Sequence, residues 1–373
     1  MAEGWLVLTL TDSPFWVGAV AGVRGISILC LSPLAGVVAD RVSRKKLLLA
    51  TYVLSAFVAF ALAFLSLTGH IRLWQIFVLS FLQSTSLTFG LPTRLTLAMD
   101  LVGKRAILNA NTANYMGYGM LQIFVPSIGG FVISKGSIGI LYLLVGAGYA
   151  SAALLVMKVQ GARMVEIGKD SLLQNMRDGA AYVSKSSVLM ALLLVLIIVN
   201  TFGWSYNVML PVMARDVLKV GATGFGYLST ASGLGFFAGT ILVSAPGGLR
   251  SSGRMLMFGC AGFGISLVLF ALSPWFFLSM FLLIAVIATA VAFDSVMVSQ
   301  LQVLSSDNMR GRVMSFYSQT TGMILFGGFP LGAIASLWGA PVALALNGGV
   351  LLLNALLIVR LLPRIQQKES STA

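Results

Sequence analysis

Apolar residues in this chain collect into eleven long runs, 17–39, 47–68, 74–99, 107–133, 139–157, 188–213, 223–245, 255–273, 275–303, 314–337 and 341–362, with short polar segments between them. A helix rises about 1.5 Å per residue, so about 20 residues cross a hydrocarbon layer of about 30 Å. Most of the runs meet that length; 139–157 and 255–273 are the shortest. In lipid every backbone N–H and C=O must be paired within the protein, which leaves helices and closed barrels as spanning elements. Unbroken apolar runs, rather than ten-residue alternation, predict helices. The pattern therefore predicts an all-α membrane protein.

Composition agrees. The 373 residues are 58% hydrophobic and 9% charged, with a mean hydropathy of +0.95; a soluble domain is nearer a quarter charged. Stretches such as Gly233-Leu-Gly235 and Gly327-Gly328, among 40 glycines, suit close approach of helices in lipid. Net charge is +13, which would fit nucleic acid, but the distribution of the bases argues for a membrane. Loops 40–46, 94–105, 158–187, 250–254 and 304–312 and the C-terminal tail hold 19 Lys and Arg; the opposite side, counting membrane-embedded Arg24, holds 5. By the positive-inside rule the base-rich side is cytoplasmic, and with it the C-terminus. Cys30 and Cys260 lie inside apolar runs and read as small packing residues. No signal peptide is visible, since Gly4–Leu10 is too short for an apolar signal core and no basic segment precedes it.

The two halves of the chain echo each other. Gly36-Val-Val-Ala-Asp40-Arg41-Val-Ser-Arg44-Lys45 follows one run, and Ala245-Pro-Gly-Gly-Leu249-Arg250-Ser-Ser-Gly253-Arg254 follows another 209 residues later. Asp100–Arg105 corresponds to Asp307–Arg312 at an offset near 205, and Pro126-Ser-Ile-Gly129-Gly130 to Pro330-Leu-Gly332-Ala333 at 204. This predicts two homologous six-helix bundles, over 1–157 and 188–364. They are joined by a cytoplasmic linker at 158–187 and followed by a disordered tail at 365–373. On that repeat the counterpart of 188–213 begins before Met1, and only Gly4–Thr11 of it is present. The chain reads as an N-terminally truncated or wrongly started copy of a twelve-helix protein; a native eleven-helix form would put its N-terminus outside. Within the linker, Leu172, Leu173, Met176, Ala180 and Val183 recur at helical spacing, as in an amphipathic helix on the cytoplasmic surface.

On these residues the chain resembles the major facilitator superfamily, and within it the bacterial branch of enterobactin exporters and macrolide-efflux proteins. The carriers are Gly36-xxx-Asp40-Arg41-xx-Arg44-Lys45, similar to the signature loop between helices 2 and 3, and two branch-level stretches, Leu210-Pro-Val-Met-Ala-Arg-Asp-Val-Leu218 and Arg310-Gly-Arg-Val-Met314. The resemblance implies two pseudo-symmetric bundles around a central cavity that opens alternately to each side. Gly36 permits close helix packing, and Asp40 suits a helix N-terminus such as the one near Val313. Arg41, Arg44 and Lys45 suit acids or lipid phosphates. Gly36, Asp40, Arg41, Arg44 and Lys45, with Arg250, Arg254, Arg310 and Arg312 of the second half, are the gating candidates; the alternative is that they only orient helices. There are departures. Ser43 stands where the family usually has Gly, and Ser80 falls where its helix-4 arginine stands. The helix-5 antiporter pattern appears as Val125-Pro-Ser-Ile-Gly-Gly130.

An ionisable group inside a span costs about 2.5–3.5 kcal/mol even on the lenient insertion scale, so each is a functional candidate. Asp294 either binds a proton or cationic substrate or is a structural carboxylate satisfied by hydroxyls or water. Arg24 either attracts an anionic substrate or pairs with a carboxylate of the lost part of the first helix. Both are coupling candidates. In the resembled family helices 1, 4, 7 and 10 line the cavity. The polar residues there and on flanking helices are Gln83, Thr88, Asn114, Tyr118, Gln122, Asn200, Trp204, Asn207 and Gln319. Asn200, Trp204 and Asn207 share a face at helical spacing, as do Asn114, Tyr118 and Gln122. Amides and aromatics in an apolar cavity suit a bulky amphiphile, though each is individually common as a helix–helix hydrogen bond.

The expected function is ion-gradient-driven efflux of a bulky amphiphile, such as a siderophore or drug, across the inner membrane by a monomer. Its partners are the small-molecule substrate, protons or another ion, and the bilayer, with no nucleic acid, cofactor or metal. There is no Gly-x₄-Gly-Lys-Ser/Thr loop for ATP. The one histidine, His70, lies in an outward loop and no nucleophile–base set appears, which argues against an enzyme. The alternatives are an uncoupled facilitator and a non-transporting membrane protein or inactive fragment.

Overall fold

The computed structural model describes the backbone of residues 2–136, 138–159, 172–244 and 253–372. The side chains at 36, 37, 39–41, 95, 96, 98–116, 118, 119, 172–176, 244, 253, 254, 307, 308 and 361–372 lie outside the described set. The first half holds α1 (Ala2–Thr11), α2 (Pro14–Arg41), α3 (Arg44–Leu67), α4 (Leu73–Ser134) and α5 (Ile138–Lys158). The linker holds α6 (Leu172–Lys185). The second half holds α7 (Ser187–Ile198), α8 (Tyr206–Val212), α9 (Gly221–Ser244), α10 (Gly253–Leu272), α11 (Phe276–Val303), α12 (Asp307–Phe326), α13 (Gly328–Trp338) and α14 (Ala340–Thr372). Among the described residues ten stretches are long and apolar enough to cross a membrane, and Met120–Ser134 is a shorter apolar helix from the run at 107–133. The fold is all-α, as expected.

Local chemistry sets several helix ends. Ser13 is extended and Pro14 opens α2, where a missing N–H costs nothing. The Ser186 hydroxyl accepts from the Leu189 N–H at the start of α7. Gly69 and Gly136, at φ 70° and 76°, follow α3 and α4 in the left-handed region that ends helices.

Three expected boundaries differ. The backbone of the expected loop 94–105 is helical, between the runs at 74–99 and 107–133. The segment is rich in Leu, Met, Ala, Lys and Arg, which favour helix, and Gly103 alone does not break it. The tail expected to be disordered at 365–373 has helical backbone to Thr372, because Gln-Gln-Lys-Glu also favours helix. The run at 188–213 is not one α-helix: π-helical turns at Val199–Trp204 and Met213–Val217 flank α8.

Within the first half α3 packs on α4 and α5, and α2 on α4. Within the second half α10 packs on α14 and α11, and α11 on α9. Large side chains such as Phe225, Phe263, Phe270 and Phe293 fill the second group. Phe57, Phe64, Phe277 and Phe281 point outward, as a lipid-facing surface requires. The halves meet along two lines, α2 against α12–α13 and α4 against α9.

Candidate functional site

Both lines of contact are built from glycine. A Cβ on Gly18 would lie 2.8 Å from the Gly332 Cα, and one on Gly332 would lie 2.9 Å from both the Gly18 Cα and the Pro14 carbonyl oxygen. On Gly25 it would meet the Phe326 Cα and Gly322 carbonyl at 2.8 Å. In the second seam a Cβ on Gly130 would lie 2.8 Å from the Gly226 Cα, and one on Gly233 would lie 2.8 Å from the Gln122 carbonyl. Ser127 and Thr230 are joined at 2.7 Å, and Thr230 donates to the Ile123 carbonyl at 2.8 Å. Gly18 lies four residues from the start of α2, Gly332 six from the end of α13 and Gly130 four from the end of α4. The Gly18–Gly332 and Gly130–Gly226 contacts thus sit toward the base-poor end of the molecule, while Gly25 and Gly233 lie near the middle of α2 and α9.

The short helix α1 reinforces that end. Trp5 stacks on Phe225 with centroids 5.6 Å apart. Arg215 Nη1 donates to the Leu8 carbonyl at 3.0 Å, capping α1, while Nη2 pairs with Asp12 at 2.6 Å and Nε with Asp216 at 2.5 Å. Arg215 belongs to the branch-level stretch at 210–218, and nothing in the local pattern there marks it as a clasp.

Behind the α4–α9 seam lies a cavity of about 260 Å³, bordered by Gln122 and Pro126 of α4, Trp204, Tyr206, Asn207 and Leu210 around α8, residues of α9 including Ser229 and Ser232, and Ile287 of α11. It spans both halves, and among the described residues no charged side chain borders it. Trp204 stands edge-on to Phe263 at 6.1 Å. Asn207 Nδ2 reaches the Trp204 carbonyl at 3.5 Å. Tyr206 is fully buried, and its hydroxyl has no partner at hydrogen-bond geometry although Ser232 and Asn207 lie close.

The π-turn shapes this wall. Its i→i+5 bonding leaves the ordinary ladder disturbed, and Asn347 Nδ2 donates to the Phe202 carbonyl at 2.7 Å and to Ser205 Oγ at 3.2 Å. Gly327, at the break between α12 and α13, packs directly on the Thr201 backbone, which its lack of a Cβ permits.

Of the path residues expected from the sequence, Gln122, Trp204 and Asn207 meet at this cavity. Asn200 does not: it is buried and donates to Thr320 Oγ1 at 2.8 Å. Gln83 borders a different cavity of about 230 Å³ inside the first half, with Nε2 donating to Ser55 Oγ at 3.3 Å and Tyr149 Oη at 3.4 Å. Thr88 bonds back to the Ser84 carbonyl at 2.8 Å. Gln319 is half-buried and borders neither cavity. The side chains of Asn114 and Tyr118 lie outside the described residues.

Arg24 pairs with Glu3 of α1 at 2.9 Å, and the other Glu3 oxygen accepts from Ser80. Asp294 accepts from the Tyr317 hydroxyl at 3.1 Å, between α11 and α12. Arg24 and Asp294 therefore belong to separate pairs in separate halves. Sequence reasoning misses Glu3, because its partners are distant along the chain.

In the signature loop the Gly36, Asp40 and Arg41 side-chain positions lie outside the described residues, as do Arg250 and the Arg254 side chain. Lys45 Nζ donates to the Met157 and Val159 carbonyls at 2.8 and 2.6 Å, capping α5. Arg44 has a partner of its own. Arg310 Nε donates to the Gln302 carbonyl at 3.1 Å, and Arg312 pairs with Asp178 of α6 at 3.3 Å. Among the described residues no cluster of three His, Cys, Asp or Glu side chains is present.

A family described as transmembrane secretion effector matches residues 1–373. The chain is 24% identical over 369 residues to the enterobactin exporter EntS of Shigella boydii, covering 95% of this chain and 83% of EntS. It is 26% identical over 326 residues to the putative bacilysin exporter BacE of Bacillus amyloliquefaciens, covering 86% and 80%. It is 26% identical over 288 residues to the uncharacterised major facilitator-type transporter YfiS of Bacillus subtilis, covering 70% and 66%. The nucleoside transporter NupG superposes with a TM-score of 0.76 at 16% identity, over 96% of this chain and 93% of NupG. A bacterial homologue of the lysosomal transporter Spinster, inward-facing and unoccupied, superposes at 0.68 with 13% identity, over 100% and 94%.

Proposed function

The chain belongs to the transmembrane secretion effector family of major facilitator transporters, and on that premise we propose that it exports a bulky amphiphile by alternating access, driven by an ion gradient. The protein is a multi-pass membrane protein of a family of transporters, not enzymes. The observation that carries the mechanism is the position of the cavity: it borders both halves, directly behind a seam that holds them together at one end. Rocking the halves about that seam changes both access to the cavity and its shape.

With the base-rich loops assigned to the cytoplasm, the glycine seams and the Arg215 clasp close the outer face. The resting form is then inward-facing, ready to load from the cytoplasm, with the C-terminus on that side. The relatives named exporters favour outward transport, and siderophores or drugs are the substrate class that amides and aromatics at the cavity suit. The bundles are assigned to 1–157 and 188–364, joined by 158–187, and a single chain is the transporting unit. Asp294, hydrogen-bonded to Tyr317, is the assigned proton-coupling carboxylate; Arg24 is assigned to holding α1 through Glu3. One charge moving down 100 mV supplies about 2.3 kcal/mol, enough for roughly a fifty-fold solute gradient.

The test is accumulation of siderophores and drugs in an efflux-deficient host expressing the chain, with and without a protonophore. Expression is expected to lower accumulation of at least one compound, and the protonophore to abolish the effect. Export that survives the protonophore would identify an uncoupled facilitator instead. Asp294→Asn is expected to abolish uphill export while leaving counterflow; equal uphill rates would remove Asp294 from coupling.

A further inference from the structure

The chemistry of the cavity walls narrows what enters it. Six side chains that carry a polar atom border it, Gln122, Trp204, Tyr206, Asn207, Ser229 and Ser232, beside the rings of Phe225 and Phe236, and none is ionisable near neutral pH. Ser229 and Ser232 spend their protons on the Phe225 and Leu228 carbonyls of their own helix, so their oxygens are left as acceptors. Asn207 is held by a 3.5 Å contact and keeps both a donor and an acceptor for a guest. The buried Tyr206 hydroxyl lies beside Ser232 and Asn207, and adds a further neutral polar group to this wall.

Among the described residues no counter-ion is at hand. Glu3 is matched by Arg24, Asp294 by Tyr317, and Arg215 by Asp12 and Asp216. A carboxylate or ammonium entering the cavity would lose its water and gain only neutral dipoles, which is strongly unfavourable. An aryl group with a neutral polar substituent loses little and meets the indole of Trp204 together with amide and hydroxyl partners. The volume of about 260 Å³ sits at the lower edge of small-molecule pockets, which suits one aryl-sized portion of a larger solute.

We propose that this cavity is a neutral-aryl subsite: it takes the uncharged aromatic end of the transported molecule and rejects ends that carry a carboxylate, an ammonium or both. The proposal rests on the reading above that the cavity holds the solute. It implies that any ionic group of the cargo is carried outside this subsite.

The test uses three matched probes, 1-naphthylacetamide, 1-naphthylacetate and 2-(1-naphthyl)ethylamine, measured by equilibrium dialysis against the full chain in nanodiscs, with empty nanodiscs subtracted. The amide is expected to bind at least about tenfold more tightly than either ion, the factor that corresponds to roughly 1.4 kcal/mol of discrimination. Asn207→Asp is expected to bring the amine level with the amide, and Trp204→Ala to weaken the amide about tenfold. Binding of the acetate or the amine to the unaltered protein within threefold of the amide would overturn the proposal while leaving the cavity as the solute site. Binding of no probe, or amide binding unmoved by Trp204→Ala and by Asn207→Asp, would overturn the site reading itself and the proposal with it. The comparison on the unaltered protein needs no variant to fold.

Discussion

Single residues decide where the halves touch and where they part. Glycine is used at Gly18, Gly332, Gly130 and Gly226 because backbone meets backbone there, and van der Waals contact rather than the hydrophobic effect drives helix association in lipid. Gly332→Leu is expected to wedge the base-poor end open and to lower export roughly tenfold or more while leaving insertion intact, as read by accumulation assays alongside the amount of protein in the membrane. Asn347 works on a different problem. Its amide occupies the Phe202 carbonyl that the π-turn leaves available, so Asn347→Leu is expected to cost about 1–2 kcal/mol, seen as a lower melting temperature of the purified protein. The same turn explains where the helical spacing misleads. Asn200, Trp204 and Asn207 share a face only on a regular helix. The wider π-turn rotates Asn200 away to Thr320, while Trp204 and Asn207 stay at the cavity. Nothing local announces such a turn, because it is stabilised by Asn347 and Gly327 from elsewhere in the chain.

At the scale of elements, hydrophobic length is the legible quantity. Runs such as 47–68 and 275–303 appear as α3 and α11 with their ends shifted by a few residues, because twenty apolar residues in lipid have few alternatives to helix. What length does not reveal is which neighbour a polar side chain chooses. Gln83 turns to Ser55 and Tyr149 inside its own half, and Arg24 to Glu3, since periodicity gives a face and not its partner. The linker helix α6 is a similar case. Its amphipathic pattern suggests a surface helix, and its contacts with the second half include Asp178 with Arg312, the Ser306 N–H donating to the Tyr182 hydroxyl, and Gly179 against Phe316. The Arg312–Asp178 pair is partly exposed, so Asp178→Asn is expected to weaken docking by about 1 kcal/mol or less. Faster hydrogen exchange in 177–185, with exchange in α12 little changed, is the measurement that checks it.

For the molecule as a whole, the proposed alternating access makes the seams, the clasp and the cavity one of two states. Arg215 ties the end of α1 to the second half, and its pairs with Asp12 and Asp216 must rearrange when the base-poor end opens. Arg215→Ala is expected to raise the population open at that end, by up to about fivefold, since partly exposed ion pairs contribute about 1 kcal/mol or less. The most direct test of the alternating two-bundle account is a pair of interspin distances in the full chain in nanodiscs. One pair of labels is placed at His70 and Lys219 at the base-poor end, the other at Lys46 and Arg310 at the base-rich end. A single short base-poor distance is expected at rest. On addition of a transported solute, a second, longer base-poor population appears together with a shorter base-rich one. Distances at both ends that stay fixed with every exported solute and across an imposed proton gradient would contradict it.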